Sequence, residues 1–75
     1  MVFDTVKSMI AKQLRADEST ITLETRLVED LKADSANIMV MIMDLEDQFG
    51  IMVEDDQIMK LKTVGDVVSY IEKHQ

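Results

Sequence analysis

From Ser35 to Phe49 the chain runs without a glycine, a proline or a basic residue, and Ile38-Met39-Val40-Met41-Ile42-Met43 are apolar in unbroken succession. The run reads as a helix over about residues 35–49, closed by Gly50, which can take the left-handed conformation a helix C-terminus favours. Ile38, Met41, Ile42, Leu45 and Phe49 follow i, i+3, i+4, i+7, i+11 and make an ordinary core face. Ala36, Met39, Val40 and Met43 repeat the first four of those spacings on a neighbouring face, with Asp47 continuing the row. A chain of 75 residues buries on folding only about 60% of the surface its unfolded form exposes, so it covers one side of such a helix well and hardly both. The second stripe is therefore expected at least partly at the surface, where apolar patches mark binding sites. Methionine suits that role, because its flexible thioether repacks against partners of different shape. The alternative is a wider bundle that encloses Met39 and Met43.

The rest of the chain has to supply the other walls. Phe3, Val6, Ile10 and Leu14 recur at helical spacing and give a first amphipathic helix over roughly residues 3–15, its stripe broadened by Met9. Asp17-Glu18-Ser19-Thr20 breaks the pattern with residues that prefer turns and caps. Residues 21–33 follow neither a strand nor a helix period and read as a long connection pinned by Ile21, Leu23, Leu27, Val28 and Leu31. It delivers Asp34-Ser35 to the start of the second helix, and loops of this length in small domains tend to be functional. Ile51-Met52-Val53 reads as a buried crossover rather than a strand. Asp55 to Leu61 reads as a short third helix, acidic at its start and basic at Lys60, as the helix dipole prefers. Thr63-Val64-Gly65-Asp66 fits a capping box with Asp in place of the commoner Glu, opening a last helix through Val67, Val68, Tyr70 and Ile71. The expected fold class is all-α: a four-helix bundle of three longer helices and one short one, with a long loop between the first two, in one domain over residues 1–75. The chain has no cysteine, so neither disulfides nor thiolate metal sites supplement the packing.

Fifteen acidic residues face 8 Lys and Arg, a net charge of −7, which argues against nucleic acid or an anionic membrane and for a basic protein partner. Between Lys32 and Lys60 there is no basic residue, yet Asp34, Asp44, Glu46, Asp47, Glu54, Asp55 and Asp56 all fall there. They form either a solvated acidic face or a docking surface. Met1-Val2-Phe3-Asp4 lacks a basic leader followed by an apolar run, and no stretch approaches about 20 apolar residues, so a cytoplasmic protein without membrane insertion is the expectation.

No catalytic set stands out. The single histidine, His74, is next to the C-terminus, and Ser35 has no base near it in sequence. Glu54-Asp55-Asp56 lacks the alternating oxygen ligands and the glycine of a calcium loop, so no metal site is expected. Ser35 could merely cap its helix, but Asp34 could do so equally well and leave the hydroxyl facing solvent. A phosphate attached there would lie near the positive end of the helix dipole, worth a few tenths to about 1 kcal/mol.

Three runs together resemble the acyl carrier proteins: Val28-Glu29-Asp30-Leu31-Lys32-Ala33-Asp34-Ser35, then Asp44-Leu45-Glu46-Asp47-Gln48-Phe49-Gly50-Ile51, then Leu61-Lys62-Thr63-Val64-Gly65-Asp66-Val67-Val68-Ser69-Tyr70-Ile71. The likeness covers essentially the whole chain. It implies that Ser35, preceded by Asp34, accepts 4'-phosphopantetheine from coenzyme A through a separate phosphopantetheinyl transferase, and that the arm carries acyl groups as thioesters for fatty acid synthesis or a specialised lipid or polyketide pathway. It implies no enzymatic activity, acyl-processing enzymes with basic docking patches as partners, and a monomer. The cargo chain of this family can slip between the helices, so Met9, Ile38, Met41, Ile42, Leu45 and Met59 are the candidate acyl-chain core. Ala36, Asn37, Met39, Val40, Met43, Asp44, Glu46 and Asp47 are the candidate docking face.

The chain departs from the family where partners would sit. Ala36 stands where the family commonly has Leu, Asn37 where it has Asp, and Val40 where it has Glu. At about 0.8 kcal/mol per buried CH₂, the smaller Ala36 could cost roughly 2 kcal/mol with an enzyme that buries that leucine. Lys32 and Glu54 replace residues often Gly and Pro. The expectation is a carrier dedicated to particular partners. A helical adaptor that is never modified, working through the acidic, apolar face of the second helix, is the competing reading.

Overall fold

The computed structural model describes residues 2–74; Met1 and Gln75, the expected limits of the domain, lie outside the described residues. Four helices follow one another, α1 (Val2–Leu14), α2 (Ser35–Phe49), α3 (Asp55–Ile58) and α4 (Val64–His74), with a 3₁₀ turn at Glu18–Thr20. Among the described residues there is no strand, only an isolated antiparallel bridge between Arg26 and Thr63. The apolar faces read from the sequence meet around α1, which packs against both α2 and α4. Val6 and Ile10 of α1, Met41, Ile42 and Leu45 of α2, and Val64, Val67, Val68 and Ile71 of α4 are buried in one cluster, joined by Ile21, Leu27, Val53 and Leu61 from the connections.

Helix ends are set by backbone geometry. Arg15 takes φ 54° and the amide of Ala16 donates to the carbonyl of Ala11 at 3.0 Å, so α1 stops at Leu14 by the closure that usually employs glycine. Gly50 does the same for α2 with φ 65°, and the amide of Ile51 donates to the carbonyl of Glu46. At the start of α4, Asp66 accepts from the amides of Lys62 and Thr63 and the Thr63 hydroxyl accepts from the amide of Asp66, each at 3.1 Å. That is the reciprocal cap expected from Thr63 to Asp66.

The third helix is shorter than the sequence suggests, ending at Ile58 rather than Leu61. The amides of Lys60 and Leu61 bond only three residues back, to Gln57 and Ile58, and Leu61 turns into the core. Lys60 therefore lies beyond the helix end, and the dipole pairing expected of it does not arise. The tightening frees Lys62, whose carbonyl accepts from the amide of Leu27 at 2.9 Å.

That bond belongs to a seam that holds the long connection. The amide of Val64 donates to the carbonyl of Thr25 at 2.9 Å and that of Gly65 to the carbonyl of Leu23 at 2.8 Å. Of the five expected pins, Ile21 and Leu27 are buried and Leu31 is partly so, whereas Leu23 and Val28 are 46% and 57% exposed. Leu23 is held by its backbone instead of its side chain. Below the seam Arg26 and Asp30 close a local turn, Asp30 accepting from the Arg26 amide at 2.8 Å and pairing with its guanidinium.

Gly65 is needed because a Cβ there would sit 2.9 Å from the Leu23 carbonyl oxygen. Gly65→Ala is expected to lower stability by about 1–3 kcal/mol in urea unfolding. Gly50→Ala, with nothing within 4 Å of its Cβ, should cost only the left-handed backbone term, about 1 kcal/mol. The amide and guanidinium of Arg26 hold the Asp30 carboxyl below the usual carboxylate range. Folding thus favours the ionised form: the stabilisation is present above about pH 4 and is lost as the pH falls through the lowered folded value. Asp30→Asn should reduce the stability lost on acidification, measured by urea midpoints at neutral and acid pH.

Candidate functional site

The seam ends where the site begins. The amide of Ala33 donates to the carbonyl of Leu27 at 3.0 Å, and because Leu27 is fully buried this fixes the residue before Asp34 to the core. Asp34 is extended (φ −98°, ψ −179°) and caps α2. Its carboxylate accepts from the amide of Asn37 at 2.8 Å, and the Asn37 side-chain oxygen accepts from the Asp34 amide at 3.3 Å. The capping role is thus taken by Asp34, with Asn37 completing the box in the place a Glu or Gln ordinarily fills.

Ser35 is relieved of it. The residue is exposed, and among the described residues its hydroxyl makes no hydrogen bond. It stands at the first turn of a helix of 15 residues, whose leading amides lack intrahelical partners and carry the positive end of the dipole. His74 is engaged elsewhere, stacked on Tyr70 at 4.0 Å and bonded through Nδ1 to the Tyr70 carbonyl at 2.8 Å. Ser35 therefore has a free nucleophilic oxygen and no histidine beside it.

Beside Ser35 opens a cleft of about 510 Å³ between α2 and α3. Ile38 and Met39 form one wall, and Ile58, Met59 and Leu61 the other. Val28 and Asp55, which the sequence reading left out of the site, complete its rim. Their signal was faint: Val28 lies in the aperiodic connection, and Asp55 reads as the acidic start of a short helix and as one of seven acidic residues of a solvated or docking face. Met59, expected in the acyl-chain core, is 81% exposed and belongs to the cleft wall, because the chain turns out after Ile58 and only Leu61 turns in. Of the other core candidates, Met41, Ile42 and Leu45 are buried and Met9 and Ile38 are partly buried.

The candidate docking residues separate by direction around α2. Taking 100° per residue, Ala36, Val40, Met43 and Asp47 point opposite to the core centred on Met41, Ile42 and Leu45. Met39, Val40 and Met43 are 45%, 48% and 62% exposed, so the second apolar stripe lies at the surface and the bundle does not widen to enclose it. Asp44 and Glu46 are only partly exposed. The Asp44 carboxylate accepts from the side-chain amide of Gln13 on α1, and that of Glu46 accepts from the Val53 amide at 2.9 Å. Both carboxylates that looked free in the sequence tie α2 to its neighbours. Asp47 remains exposed on the outer face.

Comparison with known proteins follows this geometry closely. The sequence model of a family described as "Phosphopantetheine attachment site" matches residues 4–71. An acyl carrier protein of Thermotoga maritima is 49% identical over 72 residues, 96% of this chain and 89% of the relative. One from Exiguobacterium sibiricum is 55% identical over 67 residues, 89% and 85% of the two chains. A solved structure of the acyl carrier protein from Enterococcus faecalis superposes with a TM-score of 0.86 at 31% identity, covering 99% of this chain and 94% of that one.

If Asp34 alone caps α2, Asp34→Ala should lower stability by about 1 kcal/mol. Ser35→Ala, touching no capping bond, should move it by no more than about 0.5 kcal/mol. Paired thermal or urea unfolding curves check both.

Proposed function

The chain belongs to the acyl carrier protein family, and on that premise we propose that Ser35 is the residue that bears its phosphopantetheine. The protein is a carrier and not an enzyme, its prosthetic group is 4'-phosphopantetheine, and it works with a phosphopantetheinyl transferase and with acyl-processing enzymes. When attached, the group supplies a terminal thiol that holds acyl cargo as a thioester. Everything else is left to the chain's own residues.

One observation carries the proposal: the hydroxyl of Ser35 is exposed and unengaged because Asp34 has taken over the cap. The phosphodiester would lie among the leading amides of α2, whose dipole favours an anion. The adjacent cleft, with mostly apolar walls from Ile38, Met39, Ile58 and Leu61, suits the arm and the first part of a hydrocarbon cargo. In the core the buried Met41 and the partly buried Met9 offer pliable side chains for a longer chain. Since the histidine of the chain is engaged with Tyr70, removal of the Ser35 proton is left to the transferase.

The pathway proposed is fatty acid synthesis or a specialised lipid or polyketide route, with the carrier acting as a cytoplasmic monomer. No helix of the described residues is long and apolar enough to cross a membrane. Incubation with coenzyme A and a broad-specificity transferase should add a single phosphopantetheine, read by intact mass and mapped to Ser35 by peptide analysis. Ser35→Ala, folded but unloaded, is the control. Absence of the added mass on the wild-type chain would overturn the assignment in favour of an unmodified adaptor.

A further inference from the structure

The chain carries seven methionines and no cysteine, so thioethers are its only sulfur side chains, and a peroxide in solution meets them according to their exposure. Met41 is 1% exposed and Met9 is partly buried. Met59 at 81%, Met52 at 77%, Met43 at 62% and Met39 at 45% are open to water. Two of these share a place in the fold. Met39 and Met59 line the same cleft beside Ser35, one on α2 and the other just past the end of α3, whereas Met43 and Met52 stand outside it. Met39 follows Ser35 by one helical turn, which at 100° per residue leaves the two about 40° apart around the axis. The remaining apolar lining, Val28, Ile38, Ile58 and Leu61, is hydrocarbon and inert to peroxide.

The chemistry at each thioether is simple. The sulfur lone pair attacks one oxygen of hydrogen peroxide, the O–O bond breaks as the S–O bond forms, and the other oxygen leaves as water with the proton of the transferred hydroxyl. Sulfur loses two electrons and the peroxide gains them. A flexible apolar side chain becomes a polar one. Hydrocarbon laid against it strips the sulfoxide oxygen of water and offers no hydrogen bond in return, which is unfavourable. We propose that Met39 and Met59 are a pair of oxidation sites through which a peroxide loosens the hold of the cleft on a hydrocarbon cargo. The inference rests on Ser35 being the attachment point and on this cleft receiving the cargo.

In the test, the full-length chain is treated with hydrogen peroxide at a dose that leaves Met41 intact, catalase removes the peroxide, and a broad-specificity transferase then loads the chain to completion from octanoyl-coenzyme A. Peptide masses should place sulfoxides on Met39 and Met59. The reaction of the thioester with hydroxylamine reads how well the cargo is covered, and should run about threefold faster or more after the treatment. Methionine sulfoxide reductases of both epimer classes should restore the untreated rate. Each variant is compared with its own untreated sample: Met39→Leu/Met59→Leu should show no rise, and Met43→Leu/Met52→Leu should show the full one. If circular dichroism finds the first double variant unfolded, Met39→Leu and Met59→Leu are read singly, each expected to lose part of the rise. Met39 and Met59 left unmodified where Met43 and Met52 are oxidised, an unchanged rate in the oxidised wild type, or a rise that persists without Met39 and Met59 would overturn the proposal. A wild-type chain that gains no mass even before peroxide treatment would overturn the assignment of Ser35 instead, so the two failures are distinguishable.

Discussion

The structure hangs on a short backbone seam, in which the amides of Leu27, Val64 and Gly65 pair the long connection with the approach to α4. Backbone amides buried away from water have to find partners, and a connection from residue 21 to 33 has no helix or sheet of its own to provide them. The last residues before α4 provide them instead. With Leu27 anchored in the core, the Ala33 amide is fixed to its carbonyl, Asp34 is brought to the head of α2, and Ser35 is presented beside the cleft. A side chain at position 65 would push on this seam some distance in sequence from the serine it serves.

Charge is the second constraint, and it works differently from what its total suggests. A net charge of −7 implies a strongly acidic face, and three carboxylates at or in α2 also hold structure together while keeping their charge. Asp34 closes the helix start, Asp44 reaches α1, and Glu46 satisfies the amide of Val53 in the crossover after Gly50. What the helix turns outward includes the thioethers of Met39 and Met43 and the side chain of Val40. Asp34, Asp47, Glu54, Asp55 and Asp56 stay exposed, Asp55 on the rim of the cleft.

Much of this was legible in the residues. The two stripes of α2, the glycine that ends it, the Thr63 to Asp66 box and the division of labour between Asp34 and Ser35 all rest on patterns a few residues long, and local chemistry decides them. What escaped depends on distant pairing. Asp44 meets Gln13 across a separation of 31 residues, and no spacing rule forecasts it. The end of α3 goes with the three-residue bonds of Lys60 and Leu61 and the pairing of Lys62 with Leu27 across the fold, a distant contact that the local pattern does not announce. Arg15 and Lys32, at φ 54° and 59°, hold left-handed positions that favour glycine; the residue types gave no warning at either, and only the family's usual Gly at the place of Lys32 hinted at the second.

The molecule measures 26 × 26 × 19 Å, and α2, about 22 Å long at 1.5 Å per residue, crosses nearly its full width. An ordinary interface of about 800 Å² on one partner would occupy roughly a sixth of the 4932 Å² this protein exposes, and most of it would have to lie along that helix. Two enzymes cannot share it. Traffic through the carrier is therefore serial, each visitor excluding the next until it leaves, and the order of visits is decided by how quickly each lets go of the same short helix.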